Sequence, residues 1–93
     1  MIYKTLLSRG VEKTLDRLEK TNRQLFNQII RSIDRISDDP HCAKPLSGDL
    51  KGYYSYRVRD HRIVFDIVKK KHVVHIEKIE HRKDVYRFLS ERG

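Results

Sequence analysis

From Tyr53 to Val68 the sequence YYSYRVRDHRIVFDIV alternates apolar and polar residues in two runs. Tyr54, Tyr56 and Val58 share one parity, and Ile63, Phe65 and Ile67 share one on the second run. Each run therefore has an apolar face of period two, the pattern of a half-buried strand. With Arg59-Asp60 as a two-residue loop, Val58 falls opposite His61, Arg57 opposite Arg62, Tyr56 opposite Ile63 and Tyr54 opposite Phe65. All the apolar pairs then meet on one side of a β-hairpin. A second tight turn at Lys70-Lys71 pairs Ile67 with Val74 and Phe65 with Ile76, and sets Asp66 beside His75 and Val64 beside Glu77. Ile79 is out of phase with Ile76, which predicts a bulge or strand end near Lys78.

Ahead of this hairpin the period changes. Met1 to Leu7 reads as a short strand that joins the later sheet. Ser8 caps a helix whose stripe is Val11, Leu15 and Leu18, with Glu12 in its first turn. Thr21 and Gln24 have the spacing of a capping box, opening a second helix with Leu25, Phe26, Ile29, Ile30, Ile33 and Ile36 inward. Asp39-Pro40 ends it, because the residue before proline avoids helical backbone. His41 to Gly52 reads as a loop anchored by Leu46 and Leu50. Arg82 to Glu91 carries Val85, Phe88 and Leu89 at helical spacing, a short C-terminal helix. The predicted fold is α+β, ordered β-α-α-β-β-β, with a helical hairpin packed on a small, mainly antiparallel sheet.

Ninety-three residues suit a single domain spanning 1–93. Lys and Arg number 21 against 13 Asp and Glu, a formal charge of +8 that favours polyanionic partners. Cys42 is the only cysteine, which excludes an intrachain disulfide. No run approaches the about 18 apolar residues needed to span a bilayer, and MIYKTLL has no secretory pattern, so a membrane is not expected and the cytoplasm is the expected location.

Candidate chemistry lies on and around the hairpin. His72 and His75 are an odd number of residues apart and face opposite sides of a strand, so they cannot chelate together. Asp66, His75 and Glu77 can share a face, but an Asp66–His75 hydrogen-bonded pair is the expected role, with no metal and no cofactor. A nucleophilic site on Cys42 fails because its neighbour His41 diverges from it. Lys51, Arg57, Arg62, His81, Arg82 and Tyr86 remain, a basic cluster containing groups able to move protons. Two opposed arginines repel, so Arg57 and Arg62 are either solvated near Asp66 or await an anion. The residue types fit a face that binds phosphate backbone without cutting it. They also fit metal-free RNA cleavage, in which a 2′-hydroxyl attacks the adjacent phosphate. That reaction needs a base, cations for the phosphorane charge and an acid for the leaving oxygen. Arginine serves as the cation, and His81 is the side chain best suited to proton transfer, ahead of Lys51 and Tyr86.

PLSGDLKGYYSYRVRDHRIVFDIV (45–68) and HVVHIEKIEHRKDVYRFL (72–89) resemble the RelE/ParE superfamily of type II toxins. The shared features are Leu50 and Gly52 before the first hairpin strand, an R-x-x-x-x-R-I/V-x-Y/F core from Arg57 to Phe65, and a closing H-R-x-D-I/V-Y from His81 to Tyr86. In RelE-like members the resemblance implies a small cytoplasmic toxin that enters the ribosomal A site and cuts mRNA by 2′-hydroxyl attack. A cognate, acidic RelB-like antitoxin neutralises it, and the free toxin is expected to be monomeric, with a heterocomplex forming on binding. Arg57, Arg62, Arg82 and Tyr86 match the family's basic and tyrosine positions, so with His81 they are the expected catalytic set. Lys51, Ser55 and Arg59 are the expected RNA contacts. A lysine pair found on the first strand in some nucleases is Ser55 and Arg57 here, which reopens the identity of the base. ParE-like members share the fold but poison DNA gyrase. A catalytically degenerate member would only bind its antitoxin. Tyr86 and the three arginines favour RNA cleavage among these readings.

Overall fold

The computed structural model describes residues 3–83. Its elements are β1 (Lys4–Leu7), α1 (Arg9–Thr21), α2 (Arg23–Asp38), β2 (Lys44–Pro45), β3 (Tyr54–Val58), β4 (His61–Val68) and β5 (Val73–His81). The strands form one sheet in the order β1-β5-β4-β3-β2. β1 runs parallel to β5, while the other neighbouring pairs are antiparallel. The α+β architecture read from the pattern is present, with the helical hairpin on one face of the sheet.

Ser8 does two jobs where β1 turns into α1. Its Oγ accepts from the Val11 amide at 3.2 Å, capping the helix, and its hydroxyl donates to the Glu77 carbonyl at 2.8 Å, tying that cap to β5. The second helix starts differently from the capping box expected at Thr21. Because α1 continues through Thr21, the threonine hydroxyl donates back to the Arg17 carbonyl. Asn22, with non-helical φ −152°, accepts from the Leu25 amide instead. The Asn22 amide also donates to Leu18, so one residue closes α1 and opens α2. At the other end of α2, the Ser37 hydroxyl donates to the Tyr3 carbonyl and the Tyr3 amide returns a bond to Ser37.

Val11, Leu15 and Leu18 of α1 and Leu25, Ile29, Ile33 and Ile36 of α2 pack against Ile63, Phe65, Val74 and Ile76 of the sheet. These are the apolar stripes and strand parities read from the sequence, and their mutual burial is what orients the other face of the sheet outward.

The β3–β4 register places Tyr54 opposite Phe65, Tyr56 opposite Ile63, Arg57 opposite Arg62 and Val58 opposite His61, as expected. Arg59 takes φ 56°, the left-handed backbone that a two-residue hairpin loop demands of its first central residue. Between β4 and β5, Ile67 pairs with Val74, Asp66 with His75 and Phe65 with Ile76. The loop there is longer than expected, since Lys69–Lys71 form a 3-10 turn that His72 closes with φ 53°.

Two further departures bear on the site. His41 to Gly52 is not all loop: Lys44 and Pro45 pair with Ser55 and Tyr54 as a short edge strand, where proline's missing amide is tolerated. The bulge expected near Lys78 is present, at the adjacent Glu77, and it changes one expected pair. Val64 pairs with Lys78 rather than Glu77, leaving Glu77 as the extra residue. This shift puts Ile79 opposite Ile63 on the core side and resolves its phase conflict with Ile76. Of the helix expected over Arg82–Glu91, Arg82 and Lys83 are helical and the remainder lies outside the described residues.

Candidate nucleic-acid interface

The helices cover one side of the sheet, so residues of the opposite parity form its outer face. Directly paired residues share a face, and this arranges the outer side chains in rows running across the strands. One row is Arg57 on β3, Arg62 on β4 and Glu80 on β5. The next is Lys44, Ser55, Val64 and Lys78. A third is Asp66 with His75, joined on the far side by Leu6 of β1.

The first row explains how opposed guanidinium groups are tolerated. Arg62 donates from Nε to Glu80 Oε2 at 3.2 Å, and Lys78 Nζ lies 3.8 Å from Glu80 Oε1. The side chains of Arg62 and Glu80 are 26% and 16% exposed, so the pair is half-shielded from solvent. Part of the anionic partner that the Arg57–Arg62 opposition called for is therefore supplied from within the chain. Arg57 is exposed, and among the described residues it forms no ion pair. The row carries two guanidinium groups against one carboxylate, which leaves it net positive.

Of the sequence-derived candidates, the structure gathers Arg57, Arg59, Arg62 and Arg82 at the turn end of the hairpin. Arg59 sits in the turn, and the Arg82 amide donates to the Asp60 carbonyl of that turn at 2.7 Å. Ser55 lies on the outer face in the neighbouring row. Lys51 belongs to the turn before β3, at the end of that strand away from Arg57, so it is not brought into the cluster.

His81 is separated from the arginines in a different way. It pairs with His61, whose other neighbour Val58 belongs to the core, so the two histidines are on the helix side of the sheet. Their rings meet edge to face with centroids 4.8 Å apart, and His81 Nδ1 accepts from the Lys83 amide. The bulge decides this placement, because it inverts the facing of every β5 residue beyond Glu77 relative to an uninterrupted register. Tyr86 lies outside the described residues.

Glu80, Lys44 and Lys78 were not singled out from the sequence. The phase of Ile79 held the signal for Glu80: once Ile79 faces the core, the next residue must face outward, opposite Arg62. Lys44 had no comparable signal, because a two-residue edge strand is too short to show alternation.

Asp66, His75 and Glu77 are the described residues that could together hold a metal, with ligand atoms all within 4.8 Å of one another. His75 Nδ1 stands 2.5 Å from Glu77 Oε1 and 3.7 Å from Asp66 Oδ1. The expected Asp66–His75 pair, at 3.7 Å, is longer than a hydrogen bond, and His75 Nδ1 instead meets Glu77, two residues along the same strand, at the nitrogen that a metal would need. On the helix side, Arg35, Asp38, Asp39, Cys42 and Tyr56 line a hollow. A side-chain hydrogen bond with Tyr56 holds the Arg35 guanidinium above its ordinary value. Cys42 is exposed there.

The structure thus combines a helical hairpin on one face of a five-stranded sheet with a basic row on the other. The family model of the ParE toxin of type II toxin–antitoxin systems matches residues 6–86. The chain belongs to this family, within the RelE/ParE superfamily, and is a toxin of the type II toxin–antitoxin class. No curated protein matches it by sequence. Among solved structures, it is similar to the RelBE2 toxin–antitoxin complex of Mycobacterium tuberculosis, with TM-score 0.76 and 21% identity over 88% of this chain and 100% of the other. The YoeB/ParE toxin of Agrobacterium tumefaciens gives 0.75 and 19% over 84% and 96%. A mutant of the E. coli toxin RelE in the free state gives 0.70 and 18% over 99% and 98%. At these identities the likeness is one of fold.

Proposed function

We propose that this toxin is a ribosome-dependent mRNA endonuclease that cleaves by 2′-hydroxyl attack without a metal. The observation that carries this reading is the row of Arg57 and Arg62 on the sheet face left open by the helices. Two guanidinium forks across one strand pair suit the equatorial oxygens of a phosphorane, and arginine keeps its charge at every physiological pH. A protein that only occupied a protein partner would have no need of them at one point. Arg57 and Arg62 hold the scissile phosphate, Arg82 adds charge at the turn end, and Ser55 and Arg59 contact the flanking backbone. Lys51 contacts RNA farther along the strand. Tyr86 keeps the place in the catalytic set that the resemblance gives it, while His81, across the sheet, supports the site from the helix side.

The partner that silences the toxin in this reading is an acidic RelB-like antitoxin that folds along the basic surface. Solved complexes of similar folds include RelB and YefM antitoxins, and the charge of +8 suits such a partner.

The family match to ParE favours one other reading, inhibition of DNA gyrase. A short pulse of expression separates the two. Mapping RNA ends should show new cuts within translated mRNA, removed by Arg62→Ala. Intact mRNA with accumulating DNA breaks would transfer the assignment to gyrase.

A further inference from the structure

We propose that Glu80 is the catalytic proton acceptor for the attacking 2′-hydroxyl, an assignment that rests on the mRNA-cleavage reading above. The argument begins with which atom of Arg62 is engaged. The carboxylate is held by Nε at 3.2 Å, and among the described residues no other hydrogen bond to the Arg62 side chain is formed. The terminal N–H groups of the guanidinium remain available for a phosphate. A phosphate bound there would stand beside the carboxylate, both on one planar fork. In RNA the attacking 2′-oxygen is next to the phosphorus it attacks, so a phosphate seated on Arg62 can place that hydroxyl within reach of Glu80, which flanks Arg62 on the side away from Arg57.

The other groups on this face are poorer acceptors. Arginine does not deprotonate, and an ammonium must first lose a proton before it can take one. Asp66 and Glu77 lie in a different row and converge on His75. His81 faces the other way. Glu80 is an oxygen acceptor that Lys78 and Arg62 hold in place from two sides, half-shielded from water. Such fixing of a base is what efficient proton transfer requires.

The step balances as follows. The 2′-O–H bond breaks with its proton passing to Glu80, the 2′-oxygen bonds to phosphorus, and the bond from phosphorus to the 5′-oxygen breaks. The leaving 5′-oxygen takes up one proton through solvent as Glu80 releases the one it accepted. The products are a 2′,3′-cyclic phosphate and a 5′-hydroxyl end, with no net water consumed.

The test is single-turnover cleavage of mRNA on programmed ribosomes by the full chain, by Glu80→Gln and by Glu80→Asp, across pH. Glu80→Gln keeps the side-chain size and an oxygen for Arg62. It should cut roughly 100-fold or more slowly with unchanged ribosome binding, and lose the acid limb of the pH–rate profile. Glu80→Asp should retain that limb at reduced rate. A Glu80→Gln protein that cuts at the parental rate, or more slowly with its acid limb intact, overturns the assignment and leaves Glu80 as a support for Arg62. A parental protein that leaves the mRNA whole removes the cleavage reading itself, and the assignment with it.

Discussion

Arg62 donates from Nε to Glu80 across β4 and β5 at 3.2 Å, while its other cross-strand neighbour is the guanidinium of Arg57. A single arginine is thus flanked by an internal anion and a like charge. The internal anion relieves the repulsion enough for the sheet to form without erasing the positive field of the row, since two cations remain against one carboxylate.

Because both partners are partly exposed, the pair should contribute little to folding. A double-mutant cycle of Arg62→Ala and Glu80→Ala, followed by urea unfolding, should give a coupling of about 0.2–1 kcal/mol. A coupling of several kcal/mol would mark the pair as a buried structural element and detach it from any role in the site.

Arg57, which has no ion pair among the described residues, should be the cleaner probe of phosphate binding. Arg57→Ala should leave the unfolding midpoint nearly unchanged. It should weaken binding of a single-stranded RNA similarly for all sequences, and lower the slope of log affinity against log salt by about one phosphate contact. Titrations at several salt concentrations measure both effects. An unchanged slope would show that no phosphate reaches Arg57.

Ser8 joins a helix cap to a strand, so Ser8→Ala removes two bonds together. The expected loss is about 1–2 kcal/mol by urea unfolding, at the upper end of ordinary cap substitutions. The control is Thr21→Ala, whose exposed hydroxyl only bonds back to Arg17 within α1. It should change stability by less than about 0.5 kcal/mol. Equal effects would contradict the assignment of Asn22 as the cap of α2.

An acidic antitoxin that folds along the basic surface should bind with affinity that falls as salt rises, because its contacts with exposed cations are screened. Calorimetry between low and physiological salt would show this. Salt-independent affinity would place the contact on apolar surface, such as the exposed Leu6 on the edge strand β1.

The sequence alone determined the types of both helices and the longer strands, the apolar stripes of both helices and the register of the β3–β4 hairpin, including the opposition of Arg57 and Arg62. These are local properties: a period of two or 3.6 and a loop length together specify which residues face each other. The site depended on more. A bulge at Glu77 turned Glu80 toward Arg62 and His81 away from it. The phase conflict between Ile76 and Ile79 signals an extra residue near Lys78 without fixing it at Glu77. The bulge arises because Ile76 and Ile79, three apart on one strand, must both reach a core whose position is set by helices distant in sequence. The same distant packing decided that Lys44 would lie at the sheet edge. Side-chain facing beyond a bulge is a property of the assembled core, and the chemistry of the outer face follows from it.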